Sequence, residues 1–164
     1  MGYVRSILWL SFIFVLSSLA SGLISPLWPI YIRSLGASMT ELGLVFSISN
    51  AVAAVLQIPS GLLSDRFGRK KIHCIGTLLG VFPPLLYTFA NNWADLIPWV
   101  ILSGVSVGLY VPVRWSVVAD VSTTKTMATA YSWTNVAWLS GSTVGPLLGG
   151  LVADFYGIRA PFLI

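Results

Sequence analysis

Charge is scarce along this chain: nine Lys and Arg and five Asp and Glu among 164 residues, too few to clothe a water-facing surface. That excludes an ordinary soluble domain. Cysteine and histidine are scarcer still, one of each, Cys74 and His73. A single cysteine rules out an intrachain disulfide, and neither residue has the neighbours a metal site needs. The acids Glu41, Asp65, Asp95, Asp120 and Asp154 all fall at the ends of apolar runs. The runs therefore hold no carboxylate pair, no nucleophile with a base and no buried acid to carry a proton. Neither an enzyme, a cofactor nor a metal is expected. The net charge of +4 comes with no basic stripe interleaved with aromatics, so no nucleic-acid partner is expected either.

What the chain has in quantity is apolar length: 56% of residues are hydrophobic and the mean hydropathy is +0.87. A membrane-spanning helix needs about 20 mainly apolar residues. Five segments meet that length, at roughly 7–32, 41–63, 72–90, 96–118 and 127–153, and a sixth starts near Ile158 and stops at Ile164. Runs this long satisfy their backbone hydrogen bonds as helices, not as the short alternating strands of a barrel. The expected fold is an all-α integral membrane protein with five complete transmembrane helices and the start of a sixth. Its surroundings would be the lipid bilayer. The first run exceeds the roughly 7 to 15 residues of a signal-peptide core, and four more spans follow it.

Orientation follows from the basic residues. Arg5, Arg66, Arg69, Lys70, Lys71, Arg114 and Lys125 lie on one side of a five-span arrangement, Arg33 and Arg159 on the other. This asymmetry places the amino terminus in the cytoplasm of a multi-pass protein of the cell membrane. Trp9, Trp28, Trp93 and Trp99 fall near span ends, as an aromatic belt requires.

Between the second and third runs stands Gly61-Leu62-Leu63-Ser64-Asp65-Arg66-Phe67-Gly68-Arg69-Lys70-Lys71. Asp65 closes a helix, where its carboxylate meets the negative end of the helix dipole at a cost of about 0.3 to 1 kcal/mol. It therefore needs cationic partners, and Arg66, Arg69 and Lys70 are within local reach. Gly68 allows the left-handed turn that ends the helix, and Gly61 allows another helix to approach. The segment resembles the loop 2–3 signature of the major facilitator superfamily, Gly-x-Leu-x-Asp-Arg-x-Gly-Arg-Lys/Arg, at the position the family gives it. The resemblance implies a cytoplasmic lock, with the aspartate meeting a helix of a second lobe and the arginine meeting an acid at the end of helix four, here Asp120. A solvated positive-inside loop is the plainer alternative.

The fifth run holds Gly141-Ser142-Thr143-Val144-Gly145-Pro146-Leu147-Leu148-Gly149-Gly150. Gly141, Gly145 and Gly149 form one smooth helix face, and Pro146 permits a bend. Small-residue packing explains the glycine spacing equally well. Pro146 and the Gly149-Gly150 pair, however, make the segment similar to the helix-five element of the superfamily's antiporters. The arginine that many proton-coupled members carry on helix four is absent, since Val100 stands four residues before Gly104.

Polar residues in the spans fall in stripes: Ser11, Phe14, Ser18, Ser21, Ser25 and Trp28 on helix one; Ser47, Asn50 and Gln57 on helix two; Ser103, Ser106, Tyr110 and Arg114 on helix four; Tyr131, Asn135, Trp138 and Ser142 on helix five. Such stripes suit a wetted pathway, with Asn50, Gln57, Tyr110 and Asn135 the candidate lining, while the serines suit tight packing as well.

The resemblance implies the amino-terminal lobe of a secondary active transporter that works by alternating access. Such a lobe is six helices made of two three-helix repeats, and a second lobe completes the machine. The chain, ending within an apolar run, is expected to be a truncated or partial sequence without the carboxyl-terminal lobe. The expected substrate is organic and not strongly cationic, and the helix-five element points to efflux of a drug or small organic metabolite. The alternative is a non-transporting structural or assembly subunit. In the chain alone, the glycine face of helix five is expected to stay unpaired and to favour self-association.

Overall fold

The computed structural model describes residues 2–164, with side chains from Arg5 onward. The elements are α-helices α1 (Gly2–Ile24), α2 (Leu27–Ser34), α3 (Met39–Phe67), α4 (Arg69–Leu79), α5 (Phe82–Tyr87), α6 (Ile97–Asp120) and α7 (Met127–Tyr156), with 3-10 turns at Trp93–Leu96 and Ala160–Leu163. There is no strand among the described residues. Four segments are long and apolar enough to cross a membrane: Arg5–Ser34, Met39–Phe67, Trp93–Asp120 and Met127–Tyr156. The protein is an all-helical membrane lobe.

Local chemistry sets the ends and the breaks. Ser38 caps α3 reciprocally: its Oγ accepts the Glu41 N–H at 3.2 Å, and Glu41 Oε2 accepts the Ser38 N–H at 2.6 Å. Gly68, at φ 98°, separates α3 from α4. A residue with a Cβ is strained at such a φ, which is why glycine stands there. Pro26 divides α1 from α2, because it lacks an N–H and pushes Ser25 away from helical geometry.

The run expected to cross as one piece over 72–90 is instead two helices, α4 and α5, joined at Gly80 and Val81. Pro83 and Pro84 cannot donate to the carbonyls of Leu79 and Gly80, so the helical ladder lapses there. The expected helical start at 158–164 is a 3-10 turn containing Pro161.

The chain forms two compact units. The first comprises residues up to Trp28, 117–162 and Ile164, and its core gathers Ile7, Phe14, Val118, Ala130 and Ala137. Trp28 meets Phe162 edge to face, ring centroids 6.0 Å apart. The second comprises residues 29–116 and Leu163, with Tyr31, Ile32, Val45, Ala53, Leu96, Val100 and Val113 buried. Within it the Tyr31 hydroxyl donates to the Tyr87 carbonyl at 2.6 Å. The Arg33 guanidinium donates to the Ala37 carbonyl, and this bond ties the end of α2 to the turn before α3.

Candidate functional site

The charged segment between α3 and α4 is surface-exposed. Asp65 lies in the last turn of α3, and its Oδ1 is 3.7 Å from Arg69 Nη2 in the first turn of α4. An arginine across the helix break thus provides the partner that the dipole argument requires. The Arg66 guanidinium stacks instead on the Phe67 ring, 5.5 Å from its centroid. Lys70 and Lys71 are exposed. A Cβ at Gly61 would meet nothing within 4 Å. Gly61, Asp65, Arg66, Gly68, Arg69 and Lys70 belong to the second unit, and Asp120 to the first.

In the first unit the glycine face of α7 is occupied. A Cβ on Gly141 would collide with Ser18 Oγ and the Val15 carbonyl, one on Gly145 would stand 2.7 Å from the Gly22 Cα, and one on Gly149 would collide with the Leu23 carbonyl. Helix α1 therefore lies backbone to backbone along α7 over two turns, the close approach that small residues permit in lipid. Pro146 is part of the same seam, its Cδ 3.2 Å from where a Gly22 Cβ would be. Gly150 faces open space. This corrects the expectation that the glycine face would stay unpaired in the chain alone, because α1 fills it.

The seam also assigns the serines of helix one. Ser18 is fully buried and its Oγ donates to the Val15 carbonyl at 3.0 Å, so it is a packing residue. Ser21 and Ser25 remain exposed.

Helix α7 has three faces. Ala130, Thr134, Ala137, Gly141, Gly145 and Gly149 are buried. Trp133, Val136, Leu147, Leu151 and Phe155 expose large apolar surface. Roughly opposite that surface, by the 100° step of a helix, stand Tyr131, Asn135, Trp138 and Ser142; Asn135 is exposed and the others are half-buried. On α3, Asn50 and Gln57 are exposed two turns apart. Tyr110, the fourth candidate, lies against α4, edge-on to His73 with ring centroids 6.3 Å apart.

Sequence reading missed the packing glycines of the second unit. A Cβ on Gly104 would stand 2.7 Å from the Ser49 carbonyl, and one on Gly108 2.7 Å from the Leu56 Cβ, where α6 crosses α3. A Cβ on Gly76 would stand 2.9 Å from the Tyr110 nitrogen, where α4 crosses α6, and there the Ser106 Oγ donates to the Gly76 carbonyl at 2.7 Å. The i, i+4 spacing of Gly104 and Gly108, and of Gly76 and Gly80, was the available signal.

The profile of the Major Facilitator Superfamily matches residues 10–164. An uncharacterized MFS-type transporter of Methanocaldococcus jannaschii is 33% identical over 144 residues, which are 88% of this chain and 37% of that protein. The quinolone resistance protein NorA of Staphylococcus aureus is 29% identical over 158 residues, 96% of this chain and 40% of that protein. The chain thus spans about two-fifths of the length of these relatives.

Proposed function

The chain belongs to the Major Facilitator Superfamily, and from that premise we propose that it forms the first lobe of a secondary transporter that works by alternating access. The observation that carries this reading is the three-faced α7. One face packs on α1, one exposes apolar side chains suited to lipid, and one presents Tyr131, Asn135, Trp138 and Ser142. Amides and hydroxyls on a spanning helix are costly against lipid and at home along water, so the third face is a pathway wall. In the second unit, considered by itself, Asn50 and Gln57 are exposed on α3 and are candidate pathway residues on the same physical ground.

The substrate is a small organic molecule moved outward. Similarity to a relative named for quinolone resistance supports this class, as does the position of all five carboxylates near the ends of the spans, away from the middle where a strongly cationic compound would have to be held. The Asp65–Arg69 pair and Arg66 serve the closed cytoplasmic side, with the amino terminus in the cytoplasm.

The test is flux. The whole transporter containing this chain, reconstituted in proteoliposomes with a fluorescent quinolone, is expected to show saturable export that Asn135→Leu reduces at least tenfold without loss of protein. Unsaturable leakage equal to that of empty vesicles would overturn the transporter reading. Export unchanged by Asn135→Leu would remove α7 from the pathway.

A further inference from the structure

We propose that His73 is a proton-binding site, and that proton uptake at its Nδ1 loosens the contact between α4 and α6. The inference rests on the transporter reading for its consequence alone, the coupling of substrate movement to pH.

His73 is the only histidine, and it lies on the α4 face that meets α6. Its ring is half-buried and edge-on to Tyr110 at 78°. The Nδ1 atom is buried without a hydrogen-bond partner. A neutral imidazole tolerates this with a bare acceptor lone pair. Once a proton from water forms the Nδ1–H bond, the same atom becomes a buried donor on a cation with nothing to accept it.

The charged surroundings oppose the cation further. From α6, Tyr110 and, one turn on, Arg114 lie beside His73; burial and the Arg114 charge oppose the cation, while a hydrogen bond between the ring and the Tyr110 backbone partly offsets them. On α4 itself, Arg69 lies one turn before His73, with Lys70 and Lys71 beside it and exposed Cys74 after it. From α3, the titratable groups at the junction are Asp65, which pairs with Arg69, and Arg66. Helix α5 contributes Tyr87 alone. Cations outnumber the single carboxylate around the imidazole.

The contact cannot absorb the change quietly. Gly76, three residues from His73, brings the α4 backbone against Tyr110 and Leu109, and Ser106 bonds the Gly76 carbonyl across the interface. No flexible side chain separates the two helices there. The added donor and charge are relieved by parting α4 from α6 so that water reaches Nδ1, a discrete rearrangement of the kind packed interfaces undergo. Histidine is the side chain whose ordinary titration lies between about pH 5 and 8.

Two intrinsic probes make the test direct. The chain, labelled with 15N-histidine in lipid nanodiscs, gives one imidazole signal, and bimane on Cys74, the sole cysteine and exposed, reports the environment of the neighbouring helix turn. We expect the imidazole to titrate between pH 5 and 8, the bimane emission to follow with the same midpoint, and His73→Gln to abolish the emission change. A flat imidazole signal across that range would overturn the proposal. So would a titration that leaves the emission unchanged, or an emission change that persists in His73→Gln. If that variant does not fold, coincidence of the two midpoints in the unaltered chain decides. No substrate is needed, so the outcome is separate from that of the flux assay.

Discussion

The Gly22 Cα lies so close to Gly145 that a Cβ added to Gly145 would stand 2.7 Å from it. Helices α1 and α7 therefore meet through their backbones, and any side chain at this point must push them apart. Gly145→Leu is expected to cost about 1 to 3 kcal/mol or more by overpacking, read as a lowered thermal midpoint in detergent. Gly150→Ala, which faces open space, is expected to hold or slightly raise that midpoint, since alanine favours a helix interior over glycine by roughly 0.8 to 1 kcal/mol. Equal effects of the two substitutions would contradict the seam.

Asp65 and Arg69 pair on the surface, their side chains 69% and 38% exposed. An ion pair so exposed is worth roughly 0.5 kcal/mol or less to stability. Asp65→Asn should thus leave insertion and thermal stability nearly unchanged while lowering export by the whole transporter several-fold, and Lys71→Gln should alter neither. Full export by both variants at equal expression would reduce the segment to a topology signal.

The charge asymmetry predicts which loops face the cytoplasm. In a Cys74→Ser background, Asn91→Cys is expected to react with an impermeant maleimide from outside the cell, and Thr124→Cys only after the inner face is opened. Asn91 is chosen because its side chain is free of the Asn92–Asp95 capping box that shapes the turn. Reversed accessibility of the two positions would invert the orientation.

Residues 1–164 alone are expected to insert but not to transport, because a single lobe gives only one wall of a central pathway. The seam between α1 and α7 is filled within the chain, so the chain should withstand purification without pairing through Gly141, Gly145 and Gly149. Saturable flux in proteoliposomes holding only this chain would show that it is a machine by itself. Crosslinking between copies through cysteines flanking Gly145 would show that the seam opens.

The sequence by itself determined that these segments are helices within a membrane and where the charged breaks between them fall. The reason is local. A backbone in lipid must bond to itself, which only a helix of about 20 apolar residues does within one run. Gly68 and the Ser38–Glu41 box act on their own immediate neighbours, so the junction of α3 and α4 and the start of α3 could be read in order along the chain. The glycine face of α7 was legible too, as a spacing of four. Its occupant was not, because periodicity shows that a face is smooth and says nothing of which helix lies on it. Only the tertiary structure decided that Gly22 and Ser18 of α1 fill that face, that Ser106 bonds Gly76, and that Tyr110 turns toward His73. These are contacts between residues 30 or more positions apart, and each depends on how two helices cross.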